Sequence, residues 1–178
     1  MDADDATDAT SLLTAAFGPE DGALLLQHLQ LRRVAEGEAL LIDGERSSSL
    51  FMLVEGALRV VHEGSHGKVV LGDRVPGDWV GEVGLIDGGP ATATVQALVP
   101  SSVLCMERAT LERLSVEQPH VASILLRAVT RQLAERVWAS SSGIVEQVGS
   151  WVTVRKPEEV RGLVARMFDW LLGGERAG

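Results

Sequence analysis

The chain has no tyrosine, and only three phenylalanines and four tryptophans stand among its 178 residues, so aromatic side chains cannot dominate its interior. The core falls to Val, Leu, Ile and Ala, and a hydrophobic fraction of 46% is enough for one sizeable core. A single cysteine, Cys105, excludes an intramolecular disulfide and any thiolate metal cluster, and a reducing cytoplasm is the expected setting. Within Val103-Leu104-Cys105-Met106 that thiol reads as a packed strand residue rather than a redox centre. Proline is scarce at six residues against 19 glycines, which favours many tight turns over flexible linker. No apolar run approaches the roughly 20 residues of a membrane helix. Nor does the N-terminus resemble a targeting signal: Asp2, Asp4, Asp5 and Asp8 crowd it without a Lys or Arg. Basic residues are in deficit throughout, 16 against 25 acidic, and the net charge of −9 repels phosphate backbones and anionic lipid. Neither nucleic acid nor membrane is an expected partner.

What is present divides into three stretches. Residues 1–10 read as a solvated, disordered acidic tail. Residues 11–148 read as one domain. It opens with two short helices, Ser11 to Phe17 and a second begun by Pro19 with Glu20 and Asp21 in its first turn. From Leu31 to Met106 short apolar runs are punctuated by glycine, which predicts eight strands: 31–34, 39–42, 50–54, 58–62, 68–74, 79–80, 93–98 and 102–107. Eight strands at this spacing predict a mainly β architecture with flanking α-helices, a small eight-stranded barrel or a jelly roll. Beyond Arg108 the pattern turns helical. Leu126, Val129, Leu133, Val137, Ser140, Ile144, Val148 and Trp151 recur at steps of three or four, one stripe of a long helix. A helix of that length overhangs a compact barrel, so a second copy of the chain is the expected partner, with packing on the chain's own barrel as the alternative. Residues 149–178 are expected to add a short amphipathic helix after Pro157, stopped by Gly173 and Gly174.

The stretch with chemical content is Gly81-Glu82-Val83-Gly84-Leu85-Ile86-Asp87, followed by Pro90-Ala91-Thr92. Gly81 and Gly84 allow close approach of a ligand to the backbone, and 83–86 suits one helical turn whose N–H groups face an anion. Glu82, at the mouth of that turn, is placed to accept hydrogen bonds from a sugar hydroxyl. The same residues also suit a plain connection between strands in which Glu82 caps the turn.

The wider pattern resembles the cyclic nucleotide-binding domain family: Glu36-Gly37-Glu38, Gly44-Glu45, Leu50 to Val60 and Pro76-Gly77-Asp78-Trp79-Val80-Gly81-Glu82 recur in its order, with Pro90-Ala91-Thr92-Ala93-Thr94-Val95 after them. The likeness spans about residues 24–138 and extends to the catabolite-activator branch. It implies a jelly roll with a phosphate-binding cassette, no required cofactor, and cyclic AMP or cyclic GMP as the small-molecule ligand. Carried over, Glu82 holds the ribose 2′-hydroxyl, the N–H groups of Val83 and Gly84 face the cyclic phosphate, and Thr92 contacts a phosphate oxygen. One residue departs from the pattern: the family's phosphate-neutralising arginine is replaced by Ala91. A charge-assisted hydrogen bond contributes about 1.5–3 kcal/mol, so its loss predicts a grip at least ten- to hundredfold weaker. Arg59, Lys68, Arg74, Arg127, Arg131 and Arg136 are candidate replacements. In the activator branch the long helix brings a hydroxyl pair to the purine; Ser140 and Ser141 stand at that place, and Ser140 to Ser142 equally suit a loosening of the helix. The stretch after Gly149 is too short for the winged helix-turn-helix domain of that branch.

The resemblance implies a non-enzymatic sensor or regulatory module acting on a protein partner that the sequence leaves unidentified. A degenerate member kept as a scaffold or oligomerisation piece is the main alternative, and Ala91 argues for it. A cupin-like metal enzyme is the weaker one: His62 and His66 are spaced as His-x-x-x-His, no histidine follows Pro76-Gly77 before His120, and exposed turn histidines are the simpler reading.

Overall fold

The computed structural model of the chain describes residues 3–64 and 67–147, with side chains described as far as Ala139. Two helices come first, α1 (Ala3–Phe17) and α2 (Pro19–Leu26). Eight strands follow: β1 (Gln30–Val34), β2 (Ala39–Leu41), β3 (Ser49–Glu55), β4 (Leu58–Gly64), β5 (Gly67–Arg74), β6 (Trp79–Val80), and, after the short helix α3 (Glu82–Asp87), β7 (Thr94–Ala97) and β8 (Ser101–Glu107). Helices α4 (Arg108–Glu117) and α5 (Pro119–Gln147) close the described chain. The strands form two four-stranded antiparallel sheets, ordered β1-β8-β3-β6 and β2-β7-β4-β5, in the expected jelly roll. All eight strands lie where the glycine-punctuated runs place them.

The apolar run of β3 shows why the first sheet is built as it is. Leu50, Met52 and Val54 pack with Leu104 and Met106 of β8 against the helices, joining Leu13, Leu25, Leu111, Leu114, Val121 and Leu125. Phe51 and Leu53 point the other way and join Leu41, Leu58, Val60, Val95 and Val103 in the core between the sheets. Alternation sends successive side chains to opposite faces, so a strand buried on both faces must be apolar at every position. The second sheet faces that shared core with one side only, and Val69, Val70 and Leu71 of its edge strand β5 stay exposed.

Two expectations change. The acidic segment 1–10 is not a disordered tail over its described part: α1 begins at Ala3 and runs without a break through the stretch expected to fray. Asp5, Ala9 and Leu13 recur every four residues, and all three are buried. Asp5 tolerates burial because Arg33 of β1 donates Nε and Nη2 to its Oδ2 at 3.1 and 2.9 Å, and Ser102 of β8 donates its hydroxyl to Oδ1 at 3.1 Å. The stripe on α5 also divides. Val129 is buried in the helix-side core, with Leu126 and Leu133 packed against it. That stretch belongs to a compact unit of residues 1–135, whereas Arg136 opens a second unit, residues 136–178, in which Val137 is exposed. The expected helix in 149–178 lies outside the described residues.

Candidate functional site

The connection from β6 to β7 crosses from one sheet to the other and carries the cassette. Gly81, at φ 91°, ends β6 and caps α3, and Gly88, at φ 69°, stops it after six residues. Both lie in the left-handed region, where only glycine is comfortable, so the turn is framed at both ends by backbone conformation. Within it Glu82 is nine-tenths buried, Leu85 is buried in the helix-side core, and Val83 and Ile86 are exposed. Two or more hydrogen bonds brace the frame, including Leu85 N to the Gly81 carbonyl and Gly88 N to the Gly84 carbonyl, both 3.0 Å.

The close approach that Gly81 and Gly84 permit is made to the chain itself. A Cβ on Gly84 would collide with the Ser47 carbonyl oxygen, and one on Gly81 with that of Ser49. The loop between β2 and β3 therefore backs the cassette, a role that no feature of residues 45–49 signals in the sequence. The same loop holds the far end. Gly44 N donates to the Ala91 carbonyl at 2.9 Å, Ala91 N donates to the Glu45 carbonyl at 2.7 Å, and Arg46 bridges Pro90. Gly44, at φ 80°, faces Ala91 together with Glu45, a bulge that bends the loop onto the cassette.

Ala91 is buried among the inter-sheet residues, with Ala93, Val95 and Ala97 following on the same face. Thr92 alternates to the opposite side and is exposed. Its carbonyl lies 3.2 Å from His62 Nδ1, which is also 2.8 Å from Asp43 Oδ2. Since both neighbours are acceptors, Nδ1 carries the proton and donates. Asp43 in turn accepts from the backbone N–H of Glu63 and donates its own N–H to Thr94 Oγ1. His62 is thus a tie between β4 and the end of the cassette, not a free turn histidine, while His66 lies outside the described residues. Among the described residues no three His, Cys, Asp or Glu side chains converge as a metal site.

Of the proposed replacement cations, the three on the strands are already engaged. Arg59 forms a two-pronged pair with Asp73 at 2.8 Å, which lowers the Asp73 carboxyl below its usual range. Lys68 pairs with Glu63 at 2.7 Å, and Arg74 donates to the Asp73 carbonyl at 3.0 Å. On α5, Arg131 lies 3.9 Å from Glu135. Ser140 and Ser141 fall within α5, and their side chains lie outside the described residues. Cys105 is half-buried on β8, and burial, aided by Glu107, pushes its thiol above the ordinary range, which keeps it protonated.

Two contacts that the sequence does not announce join the cassette to the helices. Arg108, the first residue of α4, donates its N–H to the Ser48 carbonyl at 2.8 Å, and its guanidinium lies over Gly88 at the end of α3. Gln132 of α5 grips the turn that leads into β6: its Oε1 accepts from Trp79 N at 2.9 Å and its Nε2 donates to the Gly77 carbonyl at 3.0 Å.

This geometry has relatives. The family model of the cyclic nucleotide-binding domain matches residues 31–118, the stretch from β1 to the end of α4. A cAMP-dependent protein kinase regulatory subunit of Mycosarcoma maydis is 39% identical over 75 residues, covering 42% of this chain and 14% of that protein. The chain spans only part of such relatives: 52% of a CRP-like cAMP-activated global transcriptional regulator of Mycobacterium tuberculosis, for example, at 25% identity over 65% of this chain. Among solved structures, a cyclic nucleotide-binding domain from Methylobacillus flagellatus superposes with a TM-score of 0.73 over 85% of both chains at 20% identity, a likeness of fold. The N-terminal domain of a transcriptional regulator from Streptomyces coelicolor is 31% identical, with a TM-score of 0.60 over 70% of this chain and 89% of that one. Two sheets in jelly-roll order, a glycine-framed cassette in the crossover between them and this set of relatives lead to one assignment: the chain belongs to the cyclic nucleotide-binding domain family, a regulatory kind of module.

Proposed function

We propose that the chain is a non-enzymatic sensor of a cyclic nucleotide, cyclic AMP or cyclic GMP, held between Glu82 and Thr92, with Glu82 on the ribose and the N–H groups of Val83 and Gly84 toward the phosphate. The observation that carries this reading is the placement of Glu82, nine-tenths buried on the first turn of a glycine-framed helix in the crossover between the sheets. Output leaves through α4 and α5: Arg108 touches the end of the cassette, and Gln132 holds the turn that feeds it. Movement of α3 against either contact changes the free energy of helix docking, which is what a ligand needs to shift a conformational equilibrium. A single cysteine, unpaired and half-buried, suits a reducing cytoplasm. Val137 and Trp138, 64% and 76% exposed on α5, supply an apolar surface for a second copy of the chain.

Titration calorimetry with cyclic AMP and cyclic GMP tests the reading on the wild type and on Ala91→Arg. Weak binding that tightens ten- to hundredfold in the variant is the expected result. Binding by neither protein overturns it. A second reading, a degenerate member kept as a scaffold, draws on the burial of Ala91 in the inter-sheet core; binding gained only by the variant favours that one.

A further inference from the structure

We propose that Arg46, in the loop between β2 and β3, takes over the anion-neutralising role that Ala91 cannot fill, so that the positive charge reaches the cassette from the facing loop rather than from the cassette itself. The inference rests on the cyclic-nucleotide reading above. Its ground is a juxtaposition: Arg46 bridges Pro90, the residue before Ala91, while the backbone of Ala91 is paired to Gly44 and Glu45 of the same loop. The Arg46 side chain therefore starts one residue away from Ala91, on the exposed face that Pro90 shares with Thr92, the residue proposed to contact the phosphate. Arg46 is exposed and has no ion pair or side-chain hydrogen bond among the described residues. Arg59, Lys68 and Arg74 hold acids or a carbonyl, and a phosphate would have to displace those partners first. Arg46 has no such partner to lose.

The loop that carries Arg46 is also fixed to the cassette along its length. Ser47 and Ser49 press on Gly84 and Gly81, Ser48 accepts from the first N–H of α4, and Gly44 and Glu45 hold Ala91. A guanidinium on this loop keeps its place relative to α3 without belonging to it, and the geometric cost of recruiting it falls on side-chain rotamers alone. Charge supplied this way is open to solvent, so its effect is screened by salt more strongly than that of a cation buried in the pocket.

Four proteins separate the outcomes: the wild type, Arg46→Ala, Ala91→Arg and the double variant Arg46→Ala/Ala91→Arg. Each is titrated with cyclic AMP and cyclic GMP at low and at physiological salt, with adenosine and guanosine as ligands that keep base and sugar but lack the phosphate. The expected result is that Arg46→Ala weakens cyclic-nucleotide binding at least tenfold, that the loss shrinks at higher salt, that nucleoside binding is unchanged, and that the double variant recovers the cyclic-nucleotide affinity. Wild-type binding that Arg46→Ala leaves within twofold overturns the role of Arg46 and leaves the sensor reading standing. Equal losses for cyclic nucleotide and nucleoside also overturn it, since they mark a structural effect. Binding by Ala91→Arg but not by the wild type shows a competent cassette that Arg46 does not serve. No binding by the wild type or by Ala91→Arg removes the sensor reading, and Arg46 with it.

Discussion

Gly84 has φ in the ordinary range, so its need for glycine comes from space and not from backbone conformation. The Ser47 carbonyl oxygen occupies the place of its missing Cβ, and that obstacle is backbone, which cannot swing aside as a long side chain does. Gly88 offers the contrast: its neighbour is the guanidinium of Arg108, the far end of a flexible side chain, but its φ of 69° opposes any Cβ on conformational grounds. Gly84→Ala is expected to lower the unfolding free energy by about 1–3 kcal/mol, the usual range for forcing a methyl into packed surroundings, read from urea denaturation at constant slope. A change below about 0.5 kcal/mol would show that the loop of Ser47 yields freely, and with it the rigidity ascribed to the cassette's backing. The sequence marks both cassette glycines as sites of close approach and points to a ligand, whereas the carbonyls of Ser47 and Ser49 are what approaches in the fold. The partner lies on a loop joined to the cassette only through folding, and a local motif carries no trace of it.

At the scale of elements, α1 is held by charge as much as by apolar contact. Its acids read as a solvated tail because four of the first eight residues are Asp, and nothing local separates Asp5, which is buried, from Asp8, which is exposed. The separation comes from the partners: only Asp5 shares a four-residue spacing with Ala9 and Leu13 while facing Arg33 and Ser102 on the sheet. Asp5→Ala removes three hydrogen bonds from a carboxylate side chain that is 7% exposed, but leaves an Arg33 side chain that is 62% exposed and regains water. The cost is therefore that of lost hydrogen bonds and not of a stranded buried charge, about 1–3 kcal/mol. Hydrogen exchange is the informative measurement. Amide protection in the first turns of α1 is expected to collapse while β3 and β8 keep theirs, because the helix can detach as a local unit and the doubly covered sheet cannot. Equal loss across the sheet would mean that α1 is integral to the core. The strands, by contrast, were legible almost to the residue, since most of the apolar runs are bounded by glycine, proline or serine and β3 declares its double burial by having no polar position between Leu50 and Val54. The helix α5 was legible from its period, but its stripe gives one pattern for two fates: Val129 is core and Val137 is surface.

For the molecule as a whole, that divided stripe sets the assembly question. The stretch of α5 within the first unit is already covered by the chain's own core, so a second copy has only the later part to cover, beginning with Val137 and Trp138. With a net charge of −9 two copies repel at long range, and association therefore has to come from apolar area and grow with ionic strength, the reverse of an interface driven by charge. Light scattering coupled to size exclusion is expected to give twice the 19.0 kDa chain mass at high concentration, with the dimer fraction rising as salt is added. Val137→Glu should return the mass to that of a single chain with an unchanged circular dichroism spectrum, because a carboxylate at an exposed helical position costs the folded monomer little and a buried one at an interface costs several kcal/mol. A wild type that stays monomeric at every concentration and salt would leave Val137 and Trp138 to some other partner, and the output proposed to pass through Arg108 and Gln132 would have to be read by a different protein rather than by a second copy of this one.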